Sequence, residues 1–229
     1  MCGICGLWYF ARDRAVEPEL LARMTRSLAH RGPDEESVHR EGSVGLGFRR
    51  LSIIDVAGSH QPIANEDGTI HLVCNGEVYN FQELRAQLVG RHSFRTHGDL
   101  EPILHGYEDH GVAWVRSLRG MYAFALWDRN RDTVTLGVDR FGKKPLYYLL
   151  DGQRLAFGSE LKSIAALPDL PRQLDPAAFD EYLSTGYIRA PRTIYQAIRK
   201  LPPGHTLTVT RDGQARLEPY WEPRLAPPA

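Results

Sequence analysis

The sequence predicts an α+β fold in which stacked β-sheets carry helices on their outer faces. Three observations lead there: a strand-like apolar run at the start, amphipathic helical segments through the first half, and a strand-rich stretch after them. Strands drawn from both ends of a chain, with helices between them, bury their apolar faces by packing sheet on sheet beneath helical layers.

The elements follow in order. ICGLWYF is aromatic and apolar enough for a buried strand. EPELLARMTRSLAHRGP places Leu20, Leu21, Met24 and Leu28 at helical spacing, and Gly32-Pro33 stops that helix just beyond His30. SVGLGFRRLSIID reads as a strand with an extended continuation, and TIHLVCNG as another, ending at Gly76. A short helix follows, with Asn80 as its cap, Glu83 reaching back, and Phe81, Leu84 and Leu88 facing inward. A further helix starts near Asp99 and tolerates Pro102 in its first turn. MYAFALWD, TVTLGVD, PLYYLL and RLAFGSE are the strand-rich stretch. From Pro168 onward the character changes, because 10 of the 15 prolines fall there. That stretch holds a short helix (AAFDEYLS) and a hairpin signal, HTLTVT and QARLEPY around Arg211-Asp212-Gly213.

Composition excludes several function classes. The 229 residues carry 28 basic and 28 acidic side chains, with basic clusters no longer than pairs, so nothing tracks a nucleic-acid backbone. No apolar stretch reaches the roughly 18 residues of a membrane span, and the start lacks the pattern of a secretory signal. Three cysteines make no disulfide framework, and a reducing cytoplasm is the expected compartment.

Cys2, directly behind the initiator methionine, carries the sharpest chemical possibility. Removal of Met1 would place a thiol and a free α-amine on one residue, and the amine can take the thiol proton as sulfur attacks. Two other readings stay open at this point. Free cysteine is often a small buried hydrophobe, and Cys2 with Cys5 forms a Cys-x-x-Cys pair. In a strand, however, residues three apart point to opposite faces, which argues against a shared metal ion. Asn75 and Gly76 in CNGEVYN can supply an amide donor and a backbone N–H for an oxyanion, or form a simple turn. Arg50 alternates with Arg49, and one of the two can clamp a carboxylate with its planar fork. Asp99 is either a helix cap or a partner for an ammonium group. Taken together, these residues suit a free amino acid with an acyl group at its far end, which selects free glutamine.

MCGICG, HRGPDEES, RRLSIID, QPI, CNGEVYNFQELR, THGDLEPIL, GMYAFALWD and DRFGKKPLYY occur in the order found in the glutaminase domain of glutamine-hydrolysing asparagine synthetases, which the chain resembles from Met1 to about residue 165. These are class II amidotransferases. The resemblance implies a four-layered αββα sandwich of the N-terminal-nucleophile hydrolase type, with residues 1–167 as the glutaminase domain and 168–229 as a Pro-rich extension leading toward a synthetase domain. It implies Cys2 as nucleophile, its α-amine as base, and Asn75 with Gly76 as oxyanion hole. Arg50 would bind the glutamine α-carboxylate, Leu51, Ser52, Ile53 and Ile54 would line the same pocket, Glu77 would hold the substrate, and Asp99 would pair with its α-ammonium. The implied cycle is thiolate attack on the side-chain amide, loss of ammonia and hydrolysis of the γ-glutamyl thioester. The HRGPD loop would help to cover the site.

The chain departs from the family pattern at Phe48, where His is common, and at Leu100, where Thr or Cys is common. The larger departure is length, since no SGG-x-DS pyrophosphate loop follows. ATP and Mg are therefore expected only in a synthetase domain or subunit outside this chain, no metal or other cofactor is expected within it, and ammonia is expected to pass to that partner. A non-catalytic binding or regulatory paralogue is the alternative, and a small metal or redox protein the third possibility.

Overall fold

A computed structural model of the chain describes residues 1–53, 55 and 58–223. In chain order the elements are β1 (Gly3–Tyr9), α1 (Pro18–Arg26), β2 (Glu35–Glu41), β3 (Val44–Arg50), β4 (Ile63–Ala64), β5 (Ile70–Val78), α2 (Phe81–Leu88) and α3 (Glu101–His110). A 3-10 helix (Gly111–Ser117) leads to β6 (Gly120–Asp128), β7 (Thr133–Val138), β8 (Tyr147–Leu150), β9 (Arg154–Gly158), α4 (Leu161–Ile164) and α5 (Pro176–Thr185). The last strands are β10 (Ile198–Lys200), β11 (His205–Thr210) and β12 (Ala215–Pro219).

The strands form two six-stranded antiparallel sheets, ordered β10-β8-β9-β1-β3-β2 and β12-β11-β7-β6-β5-β4. Three buried clusters separate the layers. Ile4, Trp8, Leu46 and Phe48 of the first sheet meet Val73, Ala125, Trp127 and Leu136 of the second in the middle. Cys5, Leu7 and Tyr9 face the other way, onto Leu21 and Met24 of α1 and Ile164 of α4. Leu72, Cys74 and Leu126 face Leu84 of α2, Leu104 of α3 and Trp114 of the 3-10 helix. The fold is the expected αββα sandwich. The extended backbone that runs from Cys2 into β1 divides the two cysteines as expected, with Cys2 packing on the central cluster and Cys5 on the helical side.

Several local expectations differ. The first helix ends at Arg26, and turns closed by Thr25, Arg26 and Leu28 carbonyls carry the chain to Arg31. Strand β2 gave no sequence signal because EESVHRE lies at a sheet edge with alternate positions exposed and almost nothing apolar. Strand β5 runs on to Val78, past Gly76. The Asn80 side chain does not cap α2; it donates to the Ser117 carbonyl and accepts from the Arg119 N–H, tying the helix start to the 3-10 segment. From residue 168 onward, the chain supplies β10, which pairs with β8, and β11 and β12, which extend the second sheet from β7. Among the described residues no helix is long and apolar enough to cross a membrane.

Candidate active site

At one end of the sandwich, where β1 begins and β3 finishes, a cavity of about 260 Å³ opens between the sheets. Pockets for drug-sized ligands run to roughly 300–1,000 Å³, so this one suits a single small molecule. Its wall includes Cys2, Arg50, Leu51 and Ile53 from the first sheet and its continuation, Asn75, Gly76 and Glu77 from β5, and Asp99 from the approach to α3. Ser52 does not line it; its N–H is turned toward Asp34 Oδ2, 2.8 Å away. Ile54 lies outside the described residues.

The cysteines differ by environment. Burial pushes the Cys5 thiol up to about 12 and the Cys74 thiol well above its ordinary value, so neither supplies thiolate at neutral pH. Cys2 is half-buried at the cavity, with its Sγ accepting from the Leu51 N–H at 3.4 Å. Its carbonyl accepts from Arg31 Nε at 2.9 Å, and Arg31 in turn pairs with Glu160 at 3.0 Å. The HRGPD segment therefore braces the residues around the site. Arg31 holds Cys2, the Gly32 carbonyl accepts from Arg49, and Asp34 holds the chain after Arg50. Gly32 packs so close that a Cβ there would lie 2.4 Å from the Arg49 backbone.

Arg49 and Arg50 take opposite roles. Arg49 pairs with Glu36 near the surface, whereas Arg50 is buried at the cavity wall, with one guanidinium nitrogen donating to the Asp55 carbonyl at 2.7 Å and another 3.5 Å from Glu35.

Across the cavity, β5 presents the other groups. Val73 faces the space between the sheets, and alternation puts the Asn75 side chain on that same face, toward Cys2. Asn75 is 1% exposed, and its Nδ2 has no hydrogen-bond partner among the described residues. An unsatisfied buried donor is costly, so a ligand oxygen at this point would relieve a penalty of about 1–3 kcal/mol. The backbone of β5 is arranged to match. The Gln61 side chain accepts from the Cys74 N–H and donates to the Cys74 carbonyl, imitating a neighbouring strand, and Asp99 Oδ2 accepts from the Val78 N–H at 2.7 Å. N–H groups along an antiparallel strand alternate in direction, so the Gly76 N–H, between those two, points off the same open edge. Residue 76 must be glycine because β6 passes too close; a Cβ would lie 2.2 Å from the Met121 carbonyl oxygen.

Asp99 is not a helix cap. Leu100 occupies that position, and the Asp99 carboxyl turns to the β5 edge instead. Burial pushes it above the usual carboxylate range, the Val78 N–H opposes the rise, and nearby Glu77 adds to it. A cation placed beside it would favour the ionised form.

Phe48, Ser59, Gln61, Leu100, Met121 and Lys144 also line the cavity, although no motif marked them as site residues. The two departures from the family pattern, Phe48 and Leu100, thus lie in its wall. Met1 stands beside Cys2, with its Sδ accepting from Lys144 Nζ at 3.2 Å.

Two antiparallel sheets between helical layers, with the leading cysteine at the mouth of the inter-sheet space, have the architecture of N-terminal-nucleophile hydrolases. The family model for the glutamine amidotransferase domain matches residues 1–221, and the chain belongs to that family. It is 38% identical to asparagine synthetase [glutamine-hydrolyzing] 2 of Bacillus subtilis, over 96% of this chain and 30% of that protein. It is 33% identical to putative asparagine synthetase [glutamine-hydrolyzing] 2 of Methanocaldococcus jannaschii, over 97% of this chain and 47% of that one. The chain spans between 30% and 47% of the length of these two relatives. Among solved structures, the glutamine phosphoribosylpyrophosphate amidotransferase of B. subtilis superposes with a TM-score of 0.67 at 19% identity, over 96% of this chain and 49% of that chain. That likeness is one of fold.

Proposed function

We propose that this chain hydrolyses free L-glutamine to glutamate and ammonia. Removal of Met1 frees the α-amine of Cys2 at the cavity. The amine takes the thiol proton, sulfur attacks the side-chain amide carbon, and negative charge develops on the amide oxygen. Asn75 Nδ2 and the Gly76 N–H receive that oxygen. The amine returns the proton to the departing nitrogen, ammonia leaves, and water hydrolyses the thioester to release glutamate and the thiol. Arg50 takes the α-carboxylate, with Leu51 and Ile53 beside it, and Asp99, helped by Glu77, takes the α-ammonium.

One observation carries this assignment: a buried amide donor without a partner among the described residues, Asn75 Nδ2, belongs to the lining of the cavity that also holds Cys2, Arg50 and Asp99. Residues 1–167 form the glutamine-hydrolysing part, and 168–229 the segment directed toward an ATP-dependent synthetase domain or partner that consumes the ammonia. The names and greater length of the relatives support that destination.

Intact mass before and after treatment with an electrophilic glutamine analogue tests the assignment. Loss of Met1 and a single adduct, absent from Cys2→Ala, are expected. Retained Met1 or no adduct on folded protein would overturn it in favour of a non-catalytic binding partner of a synthetase.

A further inference from the structure

A second constellation lies in the outer helical layer. Glu66 follows β4, His92 follows α2, and His105 and Glu108 sit one turn apart on α3. One ligand atom from each of the four lies within 4.8 Å of the others. His105 Nδ1 is 2.8 Å from Glu108 Oε2 and 3.7 Å from Glu66 Oε2, while His92 Nδ1 is 3.5 Å from Glu66 Oε1 and 3.6 Å from Glu108 Oε2. Ligands held at about 2.0–2.2 Å around a tetrahedral zinc ion stand roughly 3.3–3.6 Å apart, so these separations bracket the requirement.

The surroundings orient each group inward. His92 Nε2 faces Asp109 at 3.1 Å, and Asp109 is itself held by Arg91 at 2.8 Å. His105 Nε2, fully buried and without a hydrogen bond, stands 3.5 Å from the Glu101 carboxylate. The carboxylate behind His92 favours its proton on Nε2 and leaves Nδ1 toward Glu66 and Glu108. In the ion-free chain His105 Nδ1 shares a proton with Glu108, and against the effect of burial Glu101 and Glu108 raise this imidazole to about 9, so a metal ion would replace that Nδ1 proton. Those two carboxylates are steadied in turn, Glu66 by the Ser93 N–H and Glu108 by the Asn65 amide, each at 2.8 Å. Four potential ligand atoms therefore converge. Among the described residues no lysine or arginine forms an ion pair with Glu66 or Glu108. The His105 side chain is 1% exposed and that of Glu66 37%, so the set has a closed base and an accessible mouth.

We propose that Glu66, His92, His105 and Glu108 form a structural binding site for a divalent transition-metal ion, with zinc its best fit. Two neutral imidazoles and two carboxylates are a borderline donor set, and their four-fold closure leaves no open position for chemistry. The ion would tie the loops after β4 and α2 to α3, the helix that begins directly after Asp99. Nothing in the sequence spacing announces this site. It departs from the expectation that the chain holds no metal.

The test uses the full chain, stripped with a chelator and dialysed against zinc, with metal content and thermal unfolding measured together. One zinc per chain, a melting temperature that rises with zinc, and cobalt absorption of tetrahedral type are expected. Glu66→Gln at the accessible mouth and His92→Asn, a smaller polar side chain at a partly buried position, should keep the fold and weaken zinc binding by on the order of tenfold to a hundredfold or more. Binding unchanged in both variants, or lost in Cys2→Ala instead, would place the ion elsewhere and overturn the site. No retained zinc, with a melting temperature indifferent to zinc and chelator, would identify the cluster as a protonated-histidine ion-pair network and overturn it equally.

Discussion

Cys2, just before β1, and Cys5, within it, are three residues apart, yet the fold gives them opposite surroundings. Cys2 opens into the cavity between the sheets, while Cys5 lies sealed beneath α1, its thiol held up at about 12 by burial. Cys74 repeats the lesson on β5, where its neighbour Asn75 faces the cavity and Cys74 faces the helical layer. A side chain's identity supplies the possible chemistry, and the face of the strand decides whether that chemistry is available.

The largest test of this contrast is functional. Cys2→Ala should abolish glutamine turnover to the limit of detection, whereas Cys5→Ala should retain the activity and lose about 1 kcal/mol of stability to the small void it leaves. Denaturant titration beside a glutamate assay separates the two, and comparable activity losses would break the contrast. Next in size, Asn75→Ala should lower kcat by on the order of 10²–10³-fold with little change in KM, because the oxyanion forms only as sulfur attacks. A change confined to KM would remove Asn75 from the oxyanion role.

Asp99→Asn should lower kcat/KM by about 10- to 150-fold, the worth of one charge-assisted contact to the substrate ammonium. It should also raise the stability of the free protein at neutral pH. An acid whose folded pKa lies above its unfolded value binds protons more tightly when folded, so stability falls as pH rises through that window. The penalty on the wild type should be absent below the ordinary value of 3.8 and grow above it. Melting curves of both proteins from pH 4 to 7 check the sign, and a gap that narrows with rising pH would contradict it. Gly76→Ala should cost about 1–3 kcal/mol of stability from forcing a methyl against the β6 backbone, and a denaturant titration that shows no loss would contradict the close approach.

Much of this molecule was legible in the sequence where the signal is local. The strand and helix periodicities located most elements, and the spaced motifs picked out Cys2, Arg50, Asn75, Gly76, Glu77 and Asp99, all of which line one cavity. Failures share a cause. The Asn80 side chain was read as a cap because capping is the nearest use for it, but partners 37 and 39 residues away claimed it, and the cap alternative for Asp99 gave way likewise to the Val78 N–H 21 residues away. Strand β2 escaped because an edge strand needs little apolar surface. Gln61 and Lys144 escaped because their place in the cavity depends on how separate strands cross.

By itself, then, the sequence determined the layered class and singled out Cys2 and the groups proposed here to hold a free amino acid, since each rests on residue chemistry and short-range period. Tertiary structure alone decided which thiol faces the cavity, that the Gly76 N–H points off an open strand edge between Gln61 and Asp99, and that Glu66 and Glu108 meet two histidines. Those outcomes depend on register and on the packing of segments far apart in the chain, and no local pattern encodes either.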